Sequence, residues 1–259
     1  MRKLFCLYFF YCLNSALHAQ LHIVSVIDNN AYYPTIHYEF PKAVDKRNPA
    51  IADSINATLL ELLDIEVGEK TKSIFQNVWA NETSYPSAQM TDVSYQVNCH
   101  SSKVLSVSIF YTACGAYCED YVENFNFDLK TGSRILMDSI FTSAGLNKIE
   151  DTLALNTQNQ IVTHIQFLKN QLKKDSSKGI SRTTEEIQEA VEMYERCLDV
   201  KKEISWERFV LSPPHLIIFG DRCSPHVIRA LDDIGEFRYE INLTRWTQSL
   251  NRYGLSLLK

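Results

Sequence analysis

The middle of the chain alternates apolar and polar residues in three neighbouring stretches. Residues 94–98, 104–112 and 119–128 change character at every second position, which is the period of a half-buried β-strand. A short polar turn at 100–103 separates the first two stretches. Gly132 follows the third, where glycine can adopt a positive φ without strain. The pattern predicts an antiparallel meander of three strands.

The N-terminal part of the chain predicts two further strands and a helix. Runs rich in β-branched and aromatic residues at 23–27 and 32–41 are typical of strands. Apolar residues recur at helical spacing over 49–64, and Asn48-Pro49 supplies a suitable N-cap and first residue. A weaker helical pattern covers 70–79.

The C-terminal half predicts helices followed by a hairpin, one more strand and a short terminal helix. In chain order these elements are helices 143–173 and 183–197, strands 206–211, 216–219 and 237–243, and helix 244–252. The whole pattern predicts an α+β fold. Its antiparallel sheet consists of the meander and the C-terminal hairpin, packed with two or three helices.

The first nineteen residues have the order of a secretory signal peptide. Arg2 and Lys3 precede an apolar run from Leu4 to Leu13, and small residues lead up to Ala19. The run is about ten residues long, whereas a membrane-spanning helix needs roughly 20. We therefore expect cleavage near Ala19, no stable membrane span afterwards, and a periplasmic or secreted protein.

Composition and charge narrow the possible functions. Apolar residues make up 45% of the chain and charged residues 22%, as in globular proteins. Loss of residues 1–19 leaves 24 basic against 31 acidic residues, so the formal charge moves from −5 to −7. This balance argues against nucleic acid as a partner. The Gly-x-Ser-x-Gly, His-Glu-x-x-His, Walker and Gly-x-Gly-x-x-Gly patterns do not occur, so we expect no cofactor and no metal.

The cysteines form the first candidate site. Five remain after residue 19: Cys99, Cys114, Cys118, Cys197 and Cys223. In an exported protein they predict up to two disulfides and one free thiol. Cys114 and Cys118 flank a turn, Cys99 lies on a strand beside Cys114, and Cys197 could join a helix to the hairpin at Cys223. The sequence leaves the pairing open. A zinc site using Cys114, Cys118, Cys223 and His226 is the alternative.

A cluster of polar residues after a predicted strand forms the second candidate site. It spans 220–233 and contains Asp221, Arg222, His226, Arg229 and Asp232. One hypothesis is a recognition loop. A second is an envelope hydrolase that uses His226 with Asp221 or Asp232 as an acid–base pair, with or without a metal. The third is a loop held by Asp–Arg pairs that fixes the last strand.

Several short motifs stand out along the chain: Tyr33-Pro34 near the first strands, Ile55-Asn56 in the first helix, and residues 125–132 (Phe-Asn-Phe-Asp-Leu-Lys-Thr-Gly) and 138–141 (Asp-Ser-Ile-Phe) at the sheet centre. These motifs resemble those of the DUF3298 family of bacterial extracytoplasmic domains, together with its DUF4163-type N-terminal part. Residues 209–250 resemble the final hairpin and last strand of the same family.

The resemblance implies a domain plan and one point of departure. Residues 20–90 would be the DUF4163-like part and residues 91–259 the DUF3298-like part of one continuous globule. Where the family has Gly-Gly-Ala-His-Gly, residues 113–119 read Ala-Cys-Gly-Ala-Tyr-Cys-Glu. A function that the family derives from this turn is therefore not transferred to this chain.

The resemblance also implies a class of function. One branch of the family senses lysozyme as the outer part of an anti-sigma factor, and another accompanies peptidoglycan deacetylase domains. We therefore expect a non-enzymatic binding domain whose partner is an envelope or extracellular protein, such as lysozyme, or a glycan. The candidate surface combines the second cluster with Tyr111, Tyr117 and Asp120. A structural envelope protein without a discrete site is a further hypothesis.

Overall fold

The computed structural model describes residues 21–29, 37–65, 71–79, 89–114, 118–174, 183–199 and 208–259. Two sheets and five helices in these residues form an α+β fold, as predicted. The expected signal peptide (1–19), Tyr33-Pro34 and Tyr117 lie outside them.

The larger sheet has five strands in sequence order. They are β1 (His22–Asn29), β2 (His37–Val44), β3 (Gln89–His100), β4 (Val104–Cys114) and β5 (Cys118–Asp128). The predicted meander is confirmed, because β3, β4 and β5 pair antiparallel over most of their length. Strand β2 pairs antiparallel with β1 and meets β3 in parallel, with Tyr38 opposite Val93. Gly132, beyond β5, has the expected positive φ of +76°.

Helix α1 (Pro49–Leu60) covers one face of this sheet. Ile55 and Leu59 of α1 pack in one buried cluster with Leu105 and Phe127 of the meander. The helix expected at 70–79 is wrong for the described residues 71–79, which form turns. Side chains there bond the backbone in place of a helical ladder: the Lys72 amide donates to Gln76 and the Phe75 amide to Ser73.

The C-terminal half forms a second layer. Its sheet has the order β6 (Phe209–Ser212), β7 (His215–Gly220), β8 (Phe237–Asn242), all antiparallel. The helices are α2 (Met137–Ile140), α3 (Ser143–Lys174), α4 (Thr184–Asp199) and α5 (Arg252–Ser256). The two long helices agree with the pattern. The single terminal helix expected at 244–252 is instead a 3-10 helix, Leu243–Ser249, followed by α5.

A buried network of polar side chains joins the two sheets. Asn126 of β5 donates its side-chain amide to the Phe209 carbonyl at 2.8 Å and accepts the Leu211 amide at 2.9 Å. Ser106 of β4 donates to the same Asn126 oxygen at 2.7 Å. Asn126 and Ser106 are almost completely buried. Because a buried polar group without a partner is costly, these three bonds fix where β6 lies on the meander.

Replacing Asn126 by alanine should therefore destabilise the fold strongly. Asn126→Ala leaves the Phe209 carbonyl, the Leu211 amide and the Ser106 hydroxyl without their partner, and we expect a loss of about 4 kcal/mol in urea unfolding. Asn124→Ala is the matched control, since Asn124 is as buried and accepts a bond from Ser108. It should cost about 2 kcal/mol. Equal costs for the two variants would contradict a special role of Asn126.

Candidate functional site

The end of the β4–β5 hairpin is held together by three cross-strand pairs. Cys114 lies opposite Cys118, Thr112 opposite Asp120, and Tyr111 opposite Tyr121. Cys114 and Cys118 form a disulfide, and the Thr112 hydroxyl donates to Asp120 at 2.7 Å. Directly opposed side chains are the stabilising units of an antiparallel pair. The disulfide and the Thr112–Asp120 hydrogen bond therefore cross-link the hairpin end and hold its outer residues in fixed positions.

Two tyrosines form the aromatic part of this hairpin end. The Tyr111 and Tyr121 rings stack with centroids 5.2 Å apart, and 40% of Tyr121 is exposed. Burial, with a smaller contribution from Glu123, raises the pKa of Tyr111 to about 12. A hydrogen bond of 2.7 Å to Glu119 raises the pKa of Tyr121. Both phenols are therefore neutral near neutral pH, and they offer an apolar ring with a polar tip.

Glu119 connects the hairpin end to the C-terminal polar cluster. Besides accepting from Tyr121, its carboxylate lies 3.7 Å from the guanidinium of Arg229. Arg229 belongs to the 3-10 turn His226–Leu231. The two segments predicted as candidate sites therefore meet at this ion pair, although about a hundred residues separate them. We refer to Tyr111, Glu119, Tyr121 and Arg229 as the hairpin-end surface; Asp120, between Glu119 and Tyr121 in the strand, faces the other side of the sheet with Thr112.

Asp232 holds together the segment between β7 and β8, residues 221–236, which we call the polar loop. Its carboxylate accepts from the Ser224 hydroxyl at 2.7 Å, the Ser224 amide at 3.2 Å, the Gly235 amide at 2.9 Å and the Tyr194 hydroxyl at 2.8 Å. The Tyr194 oxygen in turn accepts the Ile234 amide at 3.0 Å. Burial opposes ionisation, but the bonds from Ser224, Gly235 and Tyr194 outweigh it and hold the pKa of Asp232 below its ordinary 3.8.

These bonds give Asp232 a structural task. Its carboxylate stays ionised, and four hydrogen bonds from Ser224, Gly235 and Tyr194 occupy it within the loop. Asp221 pairs with Arg208 at 2.6 Å, and Arg208 also contacts Glu236. Arg222 is half-buried beside this loop. The structure does not describe the side chain of His226, which begins the 3-10 turn.

The cysteines resolve the pairing that the sequence left open. Cys114–Cys118 and Cys197–Cys223 are disulfides, and Cys99 is a free thiol. The zinc alternative is therefore not supported, because sulfur in a disulfide cannot act as a thiolate ligand. The second bridge ties α4 to the start of the loop, and Tyr194 on the same helix holds the far side of the loop through Asp232.

No cluster of three or more potential metal-ligating side chains occurs in the described parts of the chain. None of their helices combines the length and apolar character required to cross a membrane.

The hairpin-end surface contains two of the predicted site residues, Tyr111 and Arg229. Glu119 and Tyr121 are not among the predicted residues, although the alternation of β5 places both on the face of the sheet that carries Tyr111. Asp120 lies on the other face of the same strand.

Asp221, Arg222 and Asp232 lie in the neighbouring loop. Asp221 pairs with Arg208, which precedes β6, and Asp232 accepts hydrogen bonds from within the loop.

Comparisons with known proteins establish the fold. No family model and no curated protein matches the chain. A crystal structure of a DUF3298 family member from Bacteroides fragilis is similar with a TM-score of 0.55 at 14% identity, covering 93% of this chain and 97% of that one. A DUF3298 family protein from Pseudomonas aeruginosa gives a TM-score of 0.48 at 8% identity, covering 91% and 95%.

The chain therefore shares its α+β fold with a solved protein, and the similarity covers nearly the full length of both. That fold is the DUF3298 fold, and the resemblance seen in the motifs at 125–132 and 138–141 is confirmed at the level of the fold.

The pH dependence of stability should reveal the Asp232 network. Because its folded pKa lies below 3.8, Asp232 stabilises the protein fully above that pH and loses its contribution as the pH falls further. Asp232→Asn should cost about 2 kcal/mol at neutral pH and flatten the decline of the melting temperature as the pH falls below about 4. The control Asp221→Asn removes an exposed ion pair and should cost less than about 1 kcal/mol. A wild-type pH profile in Asp232→Asn would refute this role.

The two disulfides should differ in their effect on stability. Cys197–Cys223 spans 26 positions and Cys114–Cys118 spans 4, so the first restricts the unfolded chain more. We expect losses of about 3.5 kcal/mol for Cys197→Ala with Cys223→Ala and about 2 kcal/mol for Cys114→Ala with Cys118→Ala, measured by urea unfolding. The reverse order would show that strain or packing dominates over loop closure.

Proposed function

We propose that this protein is an exported, non-enzymatic binding domain of the bacterial cell envelope whose hairpin-end surface binds a cationic extracellular protein such as lysozyme. The observation that carries the proposal is the contact between Glu119 and Arg229. It joins the braced hairpin end and the polar loop into a single surface.

The chemistry of this surface supports a protein partner. Tyr121 is exposed and stacks on Tyr111. Phe110 and Val122 are also exposed, but they pair with each other on the opposite face of the hairpin and do not belong to this surface. Exposed aromatic residues beside carboxylates are typical of the centre and rim of protein interfaces. Glu119 gives this surface a carboxylate, Asp120 lies at the same hairpin end, and the chain as a whole is acidic; this charge favours the approach of a basic partner.

The disulfides support the expected location. Two bridges in one chain are usual where the environment is oxidising, which is the case for periplasmic and secreted proteins. The expected signal peptide at 1–19 points to the same location, so the proposed partner is a molecule that this protein would meet there.

The engaged carboxylates favour binding over hydrolysis. The proposed acid–base pairs require Asp221 or Asp232 to act on His226. Asp221 pairs with Arg208, and Asp232 accepts four hydrogen bonds from its own surroundings. A carboxylate bound in this way positions a loop, and this is the role we assign to Asp232.

Calorimetric titration with hen lysozyme at low salt tests the proposal. We expect saturable binding to the intact, disulfide-bonded protein, about tenfold weaker for Tyr121→Ala because an exposed aromatic anchor is removed. Glu119→Gln should weaken it as well and reduce its salt dependence. Glu185→Gln is the control, since it removes the same charge from the first turn of α4.

Absence of binding, together with unchanged lysozyme activity in excess protein, would reject lysozyme as the partner. Binding that is equally strong in Tyr121→Ala and in the control would reject the hairpin-end surface. Binding of a soluble peptidoglycan fragment that Tyr121→Ala weakens would replace the protein partner by a wall glycan.

A further inference from the structure

A groove runs between helix α3 and the edge strand β8, on a different part of the molecule from the hairpin-end surface. Its volume is about 400 Å³. One wall consists of four consecutive residues of β8, 238–241, and the other of residues along α3 from Ile149 to Gln160. A strand that lines a groove with consecutive residues exposes its main chain there as well as its side chains.

The pairing of the C-terminal sheet shows which main-chain groups of β8 face outwards. The Phe219 amide donates to the Arg208 carbonyl at 2.9 Å, so Phe219 directs its backbone groups towards β6. Neighbouring residues of a strand direct these groups to opposite sides, and Ile218 therefore bonds to Tyr239 of β8. Arg238 and Glu240, on either side of Tyr239, consequently direct their N–H and C=O groups away from β7. No strand in the described parts of the chain pairs with that edge.

The opposite wall offers side-chain amides to the same space. Asn156, Asn159 and Gln160 of α3 line the groove and are exposed. This protein already uses a side-chain amide on a strand edge, since Asn126 binds the backbone of β6. An extended segment between β8 and α3 would find backbone partners on one side and amides on the other.

The floor and the charge of the groove define its occupant further. Ile149, Leu153 and Trp246 give the groove its apolar lining, and Ile149 and Leu153, which are buried, form its floor. Arg238 lines the groove and forms no ion pair among the described residues, whereas Glu240 lies 3.2 Å from His215. Lys148 lies over the Trp246 ring at 5.4 Å. The groove therefore favours one apolar side chain beside a carboxylate.

We propose that the groove binds an extended polypeptide segment of a partner protein, which adds to β8 as a fourth strand and carries an apolar residue next to an acidic one. Main-chain hydrogen bonds to Arg238 and Glu240 supply the common part of the recognition. The apolar floor and the Arg238 guanidinium supply the selectivity. This site is independent of the hairpin-end surface, so Tyr121→Ala should leave it intact.

Selection of linear random peptides tests the proposal. The disulfide-bonded full chain is presented to phage-displayed peptides of about ten residues, long enough for a typical strand. We expect enriched sequences with an apolar residue beside Asp or Glu. A synthetic enriched peptide should slow hydrogen exchange at the Arg238 and Glu240 amides, which face the groove, more than at the Tyr239 amide, which is already bonded to β7.

Two variants at one position separate main-chain from side-chain recognition. Glu240→Pro removes the outward-facing N–H together with the carboxylate near His215, a change that an edge strand tolerates, and should weaken the peptide about tenfold relative to Glu240→Ala, which removes the carboxylate alone. Glu240→Ala keeps that N–H and should bind like the wild type. Arg238→Ala should weaken acidic peptides at low salt and less so at high salt.

Three results would overturn the proposal. The first is no enrichment above background. The second is binding without protection of the Arg238 and Glu240 amides in the wild type, a measurement that does not depend on the folding of Glu240→Pro. The third is protection of the groove amides from hydrogen exchange by chitotetraose but by no peptide, because this would assign the groove to a glycan.

Discussion

The fold depends on one side-chain amide that takes the place of a strand. Strand β6 pairs with β7 on one side, and on its other side Asn126 bonds Phe209 and Leu211 as a neighbouring strand would. Ser106 holds the amide from the meander. Because β7, β8 and the polar loop follow β6 along the chain, this contact helps to place Arg229 beside Glu119, together with the disulfide and hydrogen bonds that tie the loop to α4. The candidate surface is therefore a consequence of how two sheets are joined.

Local patterns predicted the elements well where the two faces of an element differ in chemistry. Strand β4 is buried on both faces from Val104 to Ile109: Leu105 packs in the same cluster as α1, whereas Ser106 on the other face bonds Asn126 towards the second sheet. The turns in residues 71–79 were missed because side-chain to backbone bonds compete with a helix without changing its apolar spacing. Helices and strands are thus predictable where the spacing of apolar and polar side chains alone decides the structure. The turns in residues 71–79 are a case in which hydrogen bonds decide it instead.

The candidate site was only partly predictable for a different reason. Tyr194 and Asp232 are separated by 38 positions, and Glu119 and Arg229 by far more, so no local pattern relates them. The four disulfide-bonded cysteines allowed three pairings, and the choice follows from the position of α4 beside the loop. The sequence indicated which residues are polar enough to matter. Which of them hold the loop and which face outwards is decided by packing between distant segments.

The two outer edges of the C-terminal sheet show how this constraint extends to function. An open edge invites pairing with another chain, and proteins usually cover it. On β6 the edge is satisfied by Asn126 inside the core. On β8 the long helix α3 lies alongside but leaves a groove, and it places exposed amides across from the strand. Side-chain amides therefore lie beside both edges of this sheet. Asn126 bonds the β6 edge, whereas the amides of α3 lie across the groove from the β8 edge, with which no strand of the described residues pairs. This is the arrangement expected of an edge that pairs with a segment of another chain.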